Sequence, residues 1–199
     1  MNKIDTARIV TTWDCNRNCP GCCNATLHRP DSCSSDRFRE FDKFVITGGE
    51  QMLYPDGLYR LLMSQIPIDR PKYLQTAFID TDKIEHRKII ELINGINYTI
   101  HHPATPRDIT MLKHLSQYLS LKPELNLSSR LIIDEREWDN VMNDKELQDT
   151  LANSFTQPWF KIVRLEWKDN CPLPQNEELL YYDITATAEP CSKTYRKPT

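Results

Sequence analysis

The feature that most constrains the fold of this chain is a repeated alternation of short β-type runs with amphipathic helical patterns. The six runs are ARIVTTW (7–13), FVITGG (44–49), YLQTAFI (73–79), INYTIHH (96–102), SSRLIID (128–134) and FKIVRLEW (160–167). Strands that alternate with helices predict a parallel sheet with right-handed crossovers and helices outside it. Six units are too few for a closed eight-stranded barrel, so the predicted architecture is α/β, an open parallel (β/α)6 barrel.

Local sequence also predicts where some helices begin and break. Asp82 with Glu85 three residues later resembles a capping box, and Thr105 is a second N-cap with Asp108 near the helix dipole. The helical pattern from about residue 135 to 155 is predicted to break near Asn143.

Chain length and proline content suggest one core domain with a short extension. The composition, 39% hydrophobic and 27% charged over 199 residues, is that of an ordinary globular chain long enough for one substantial core. Residues 168–199 contain four prolines and little periodicity. We therefore expect residues 1–167 to form the core domain and residues 168–199 to form an irregular C-terminal extension packed on it.

Charge and hydropathy exclude several classes of partner. No stretch approaches a membrane span, and the N-terminal segment MNKIDTARIV lacks the apolar region of a signal peptide, so the expected location is cytoplasmic, without membrane association. The net charge is -3 and there is no basic stripe, so nucleic acid is not an expected partner.

The stretch TTWDCNRNCPGCCN (11–24) concentrates four of the seven cysteines of the chain. Thiols stay reduced in the cytosol and seven is an odd number, so metal binding or catalysis is favoured over a disulfide framework. Cys15, Cys19 and Cys22 follow the pattern C-x3-C-x2-C. Thiolates suit an iron–sulfur cluster or zinc, and three ligands would leave one iron of a cubane cluster open.

Zinc is the alternative for this loop. A structural zinc site needs a fourth ligand, for which Cys33, Cys171 and Cys191 are candidates, but it usually shows two paired C-x2-C knuckles and this chain has one. Cys23 is expected to be a neighbour of the site and not a ligand.

The cysteine pattern after the first strand, followed by Gly48-Gly49-Glu50 after the second, resembles the radical S-adenosylmethionine (radical SAM) superfamily. Element order corresponds over residues 7–167, whereas motif matching is confined to 11–24 and 45–55. The resemblance implies that the predicted open barrel is of the radical SAM type.

The resemblance also implies cofactors and site residues. Cys15, Cys19 and Cys22 would bind one 4Fe-4S cluster, whose open iron would chelate S-adenosylmethionine, and a flavodoxin or ferredoxin would donate the electron. The further residues implied for binding S-adenosylmethionine, the last four by location only, are Gly48, Gly49, Glu50, Thr99, His101, Arg130 and Asp134.

The motifs also depart from the family pattern. Gly21 stands before the third cysteine where the family often has a bulky apolar residue, and Gln51 replaces the usual proline after Gly-Gly-Glu. The phrase CPGCCN is similar to the loop of enzymes that activate anaerobic ribonucleotide reductases. The segment between Cys22 and Gly48 is too short for the long first helix of most members.

Three functions remain open at this point. The first is reductive cleavage of S-adenosylmethionine to a 5'-deoxyadenosyl radical that abstracts hydrogen from a small-molecule or nucleotide-like substrate. The second is activation of a glycyl-radical protein, which would be the partner. The third, from a different class, is a non-catalytic zinc or iron–sulfur binding module.

Overall fold

A parallel α/β sheet of seven strands organises the molecule. The computed structural model describes residues 3–22, 24, 30–155, 160–166 and 173–185. The strands are β1 Thr6–Val10, β2 Lys43–Thr47, β3 Lys72–Thr76, β4 Gly95–Ile100, β5 Ser129–Asp134, β6 Phe160–Leu165 and β7 Glu177–Tyr181. They lie in the order β6-β5-β4-β3-β2-β1-β7, and every pair is parallel. The α/β class and the six predicted strands are confirmed.

The strand β7 corrects the expectation of an irregular tail. It pairs in register with β1 from Thr6↔Glu177 to Val10↔Tyr181, and the Arg8 guanidinium donates to Glu177 Oε2 at 2.7 Å. The run EELLY is short and bears two carboxylates, so its own pattern does not predict a strand. Its hydrogen-bonding partner, the free edge of β1, stabilises it instead.

The described helices connect successive strands. They are α1 Pro55–Arg60, which continues as a π-helical turn over Leu61–Gln65, then α2 Ile84–Ile90, α3 Pro106–Ser120, α4 Trp138–Met142 and α5 Lys145–Phe155. Short 3-10 segments cover Ser35–Glu40, Gln51–Leu53, Pro123–Leu125 and Glu135–Glu137. None of the helices in the described ranges is long and apolar enough to cross a membrane.

Strand order explains which face of the sheet carries the core. From β1 to β6 each strand lies beside its successor, and right-handed crossovers then put the connecting helices on one face. Alternate side chains such as Ile9, Ile46 and Leu74 enter the hydrophobic core with the helices. The opposite face presents polar side chains, among them Arg8 and Gln75, which hydrogen bond to each other at 2.8 Å.

Two of the three predicted helix boundaries are confirmed. Thr105 and Asp108 form a reciprocal capping box at the start of α3, and the helical region after β5 breaks between α4 and α5 at Asn143. The predicted cap at Asp82 is wrong, because the N-cap of α2 is Lys83 and has no side-chain cap hydrogen bond. The amide of Asp82 instead donates to the Asp80 carboxylate in the preceding turn, at 3.2 Å.

Candidate functional site

The cysteine loop lies at the carboxyl edge of the sheet, directly after β1. Cys15 is exposed, whereas Cys19 and Cys22 are half-buried, and the amide of Cys22 donates to the carbonyl of Cys19 at 3.2 Å. Partial burial raises the pKa of the Cys15 thiol, and the negative charge of Glu50 raises it further, with smaller contributions from Cys19 and Cys22. The three cysteines therefore follow one another on one short loop.

Other cysteines do not join this loop in the described part of the chain. Cys33 packs against the hydrophobic core, and its amide donates to the carbonyl of Tyr181 at 2.8 Å. Cys23, Cys171 and Cys191 lie outside the described residues. Within the ranges that are described, no three His, Cys, Asp or Glu side chains are grouped closely enough to hold a metal ion.

The Gly-Gly-Glu turn after β2 runs alongside the backbone that leads into the cysteines. The amide of Gly49 donates to the Thr12 carbonyl, and that of Glu50 to the Asp14 carbonyl, both at 2.7 Å. A Cβ at Gly49 would lie 2.0 Å from the Asp14 carbonyl oxygen, and Gly48 has a φ of +135°. The two glycines therefore allow close main-chain contact between the two motifs.

The Glu50 carboxylate is buried under the end of β3. It accepts hydrogen bonds from the Thr76 hydroxyl at 2.6 Å, the Ala77 amide at 3.0 Å and the Met52 amide at 3.2 Å. The side chain is almost inaccessible, and burial raises the pKa of Glu50 to about 7 even though these hydrogen bonds favour the charged form. Glu50 therefore ties the Gly-Gly-Glu turn to the β3 edge.

Glu50 makes the stability of the protein depend on pH. Its pKa is raised above the ordinary 4.5, so the folded state holds the proton more tightly, and this contribution is present below pH 4.5 and lost as pH rises through about 7. We expect the free energy of unfolding of the natural protein to fall by about 3 kcal/mol relative to Glu50→Gln across that window. Urea unfolding at several pH values measures the difference.

Glu137→Gln is the matched control for this titration. Burial opposes the charge of Glu137, but hydrogen bonds from Asn140, Ala104 and His102 outweigh it and lower its pKa. The difference between the natural protein and Glu137→Gln should then change with the opposite sign, in favour of the natural protein as pH rises. If the stability of the natural protein and that of Glu50→Gln changed in parallel with pH, the raised pKa of Glu50 would be contradicted.

Arg17, which sequence reasoning did not single out, anchors the cysteine loop to the start of α3. Its Nη1 forms a short ion pair with Asp108, and its Nη2 donates to the Pro103 carbonyl at 3.0 Å. The two side chains are only 13% and 11% exposed. Asp108 accepts from the Thr105 amide at 2.7 Å, so one carboxylate both caps the helix and holds the arginine.

Burial by itself would weaken the charge of Arg17, yet the pKa of Arg17 is raised, because the Cys19 sulphur and the Asp108 carboxylate stabilise the cation. The signal available in the sequence was a basic residue between two cysteines, together with an acidic residue in a capping box. Neither feature specifies the other across about ninety residues, a separation that only the fold closes.

The remaining predicted residues separate into two groups. Thr99 and His101 lie at the end of β4; the Thr99 hydroxyl is buried and has no hydrogen-bond partner among the described residues, and burial lowers the pKa of His101 to about 4. Asp134, at the end of β5, is held by Arg136 Nη2 at 2.7 Å.

Arg130 lies apart from Thr99, His101 and Asp134. It is exposed near the beginning of β5, opposite Asn97, and lies four positions before Asp134, a distance of about 13 Å along the strand. Side chains at the amino half of a parallel strand lie away from the edge at which the loops carrying the chemistry meet.

A cavity of about 330 Å³ opens beside the cysteine loop. The Arg107 guanidinium lies over the Phe78 ring at 5.2 Å from its centroid. The lining comes from the cysteine loop, the end of β3 and the start of α3, and its residues are Asn16, Arg17, Asn18, Cys19, Ala77, Phe78, Pro103, Thr105, Arg107, Asp108 and Met111. A cleft of this size can hold a small molecule.

Fold and site together define an α/β protein with a three-cysteine loop beside a cavity at the carboxyl edge of a parallel sheet. No protein-family model matches the chain, and a search of curated proteins finds no match.

Proposed function

We propose that this protein is a radical SAM enzyme that uses one 4Fe-4S cluster, held by Cys15, Cys19 and Cys22, to act on a small-molecule substrate. The observation that carries the proposal is the contact between two motifs that are distant in sequence. Main-chain hydrogen bonds at 2.7 Å join the Gly-Gly-Glu turn to the residues directly before Cys15. This contact supports a single site formed by the cysteine pattern and the turn at the ends of adjacent strands.

The donor set fits such a cluster. Three thiols on a short loop suit soft metal ions, and a three-thiol set leaves a metal position open. The buried Nε of Arg17, within the same loop, has no hydrogen-bond partner among the described residues. An acceptor such as a cluster sulphur would satisfy that donor.

When bound, the cluster supplies the electron that cleaves S-adenosylmethionine to methionine and a 5'-deoxyadenosyl radical. The residues of this chain provide position and shielding. Gly48 and Gly49 bring the turn against the cysteine loop, and Glu50 fastens that turn to the end of β3. We assign Glu50 this positioning role because its carboxylate is buried among three donors of its own chain.

The cavity is the proposed binding site for a small-molecule substrate. Its volume of about 330 Å³ is at the lower end of the range of small-molecule sites, and Cys19 forms part of its wall. A substrate in this cavity would lie next to the cysteine loop. A flavodoxin or ferredoxin is the proposed electron donor.

Anaerobic reconstitution tests the proposal. The purified protein is loaded with iron and sulfide, reduced with dithionite and incubated with S-adenosylmethionine, and 5'-deoxyadenosine is measured by mass spectrometry. We expect 5'-deoxyadenosine and methionine in equal amounts. A cluster that forms without any 5'-deoxyadenosine would favour a non-catalytic iron–sulfur module, and tight binding of zinc in place of a cluster would favour a zinc site.

A further inference from the structure

We propose that Arg17 is the positioning residue of the cysteine loop. Its Nε would donate a hydrogen bond to a sulphur of the cluster beside Cys19. This inference rests on the proposed function, because it assigns a partner within the same site. It concerns a residue inside the x3 spacer of C-x3-C-x2-C, which the spacing of the cysteines leaves undefined.

The contacts of Arg17 cross from one strand connection to another. Nη1 pairs with Asp108, and Nη2 donates to the Pro103 carbonyl at 3.0 Å and, more weakly, to the His101 carbonyl at 3.5 Å. The two terminal nitrogens thus bind the connection that leads from β4 into the first turn of α3. Arg17 lies between Cys15 and Cys19, so the same side chain restrains the loop that bears the thiols.

The acceptor side of this contact is itself rigid. Asp108 Oδ2 accepts from the Thr105 amide at 2.7 Å and the Thr105 hydroxyl at 2.8 Å, which leaves Oδ1 for Arg17. The same connection is held at Ala104, whose amide donates to Glu137 Oε1 at 3.1 Å. Because Arg17 is anchored at two points of this segment, it restricts the movement of the cysteine loop.

The third nitrogen of the guanidinium has a different environment. Arg17 Nε is buried and has no hydrogen-bond partner among the described residues, although the other two nitrogens are occupied. Native proteins rarely leave a buried N–H unsatisfied, because its desolvation is then uncompensated. Arg17 and Cys19 line the same cavity, so a cluster bound at Cys19 would offer this nitrogen a sulphur acceptor.

A donor of this kind would affect the cluster and not only the loop. Hydrogen bonds to cluster sulphurs and nearby positive charge are among the factors that set the reduction potential of an iron–sulfur cluster. Arg17 supplies both. Its Nε can donate to a cluster sulphur, and its positive charge balances the nearby Asp108 carboxylate. Removing the side chain should therefore lower the reduction potential of the cluster.

The experiment compares Arg17→Gln, Arg17→Lys and the natural protein by two measurements. Hydrogen–deuterium exchange of the metal-free protein reports on the amides of residues 15–22, and electron paramagnetic resonance during a redox titration gives the potential of the reconstituted cluster. We expect exchange in this loop to become at least fivefold faster in Arg17→Gln, with the sheet unchanged, and the potential to fall. Arg17→Lys should restore part of the potential, because it keeps the charge and lacks the planar donor set.

Arg37→Gln is the matched control. Arg37 also forms ion pairs, with Glu40 and Glu178, and neither partner belongs to the cysteine loop. It should change neither loop exchange nor potential. Asp108→Asn serves if Arg17→Gln does not fold, since it removes the anchor and keeps the arginine.

The outcomes separate this inference from the proposed function. Unchanged loop exchange and unchanged potential in Arg17→Gln overturn the role of Arg17 even if the natural protein makes 5'-deoxyadenosine. An equal change in exchange across the whole sheet also overturns it, because that is the result of a general structural role. If the natural protein takes up no cluster, the proposed function and the donor role of Nε both fail, whereas faster exchange confined to residues 15–22 still supports the role of Arg17 in holding the loop.

Discussion

Cys19→Ala is expected to abolish cluster incorporation and the formation of 5'-deoxyadenosine. Cys19 is half-buried, lies in the wall of the cavity and interacts with Arg17, so its thiol is central to the proposed site. Changes to groups outside the ligand shell already cost roughly 10- to 100-fold at metal sites, and loss of a ligand should exceed that. Iron and sulfide content, the visible absorption of the reconstituted protein and mass spectrometry of the product measure the effect.

Cys33→Ala is the control for loss of a thiol. Cys33 packs against the core, and its contact with Tyr181 is made by its backbone amide, which alanine retains. Its cluster content and 5'-deoxyadenosine yield should stay within about twofold of the natural protein, since a small core truncation is usually tolerated without loss of fold. Full product formation by Cys19→Ala, or equal loss in both variants, would contradict the assignment of ligands.

Gly49→Ala is expected to destabilise the protein by about 3 kcal/mol and to prevent cluster binding. The new Cβ would lie 2.0 Å from the Asp14 carbonyl oxygen and 2.9 Å from the Trp13 carbonyl carbon. Both are backbone atoms, which cannot rotate away as a flexible side chain can. Relief of the clash must separate the turn from the loop and break the hydrogen bonds of Gly49 and Glu50 to Thr12 and Asp14.

Gly57→Ala separates a general loss of stability from a local effect. Its Cβ would lie 2.1 Å from the Ile184 carbonyl oxygen, a backbone contact of the same severity between α1 and the segment after β7. Thermal unfolding should show a similar loss of stability for both variants. Below the unfolding temperature, Gly57→Ala should still take up the cluster, whereas Gly49→Ala should not. Equal cluster content in the two variants would show that the turn does not shape the cysteine loop.

Much of the fold could be predicted because its determinants are local. Six β-type runs and their alternation with helical patterns led to six parallel strands in sequential order, and Thr105 with Asp108 formed the expected cap. The alternation of β-type runs with helical patterns is carried by neighbouring residues, so a single sequence displays it directly. The strand β7 was missed because its pairing with β1, and not its own composition, stabilises it.

The cysteine loop and the Gly-Gly-Glu turn were identifiable for a similar reason. Their residue types and spacings are themselves the chemical requirement, namely soft ligands on one loop and two positions without a Cβ. The direction in which the Glu50 carboxylate points was not identifiable, because its hydrogen-bond donors Thr76 and Ala77 lie at the end of the next strand of the sheet. Arg130 was a candidate by strand alone, and its position within β5 decides against its joining the others.

The sequence by itself therefore determined the α/β class, the first six strands and the two motifs, since periodicity and spacing are carried by neighbouring residues. Only the tertiary structure decided that the turn binds the backbone before Cys15, that Glu50 is buried, and that Arg17 reaches Asp108. The residues that meet in these contacts are separated by about 25 to 90 residues along the chain. They meet because parallel strands bring their carboxyl ends to one edge of the sheet, which no local pattern encodes.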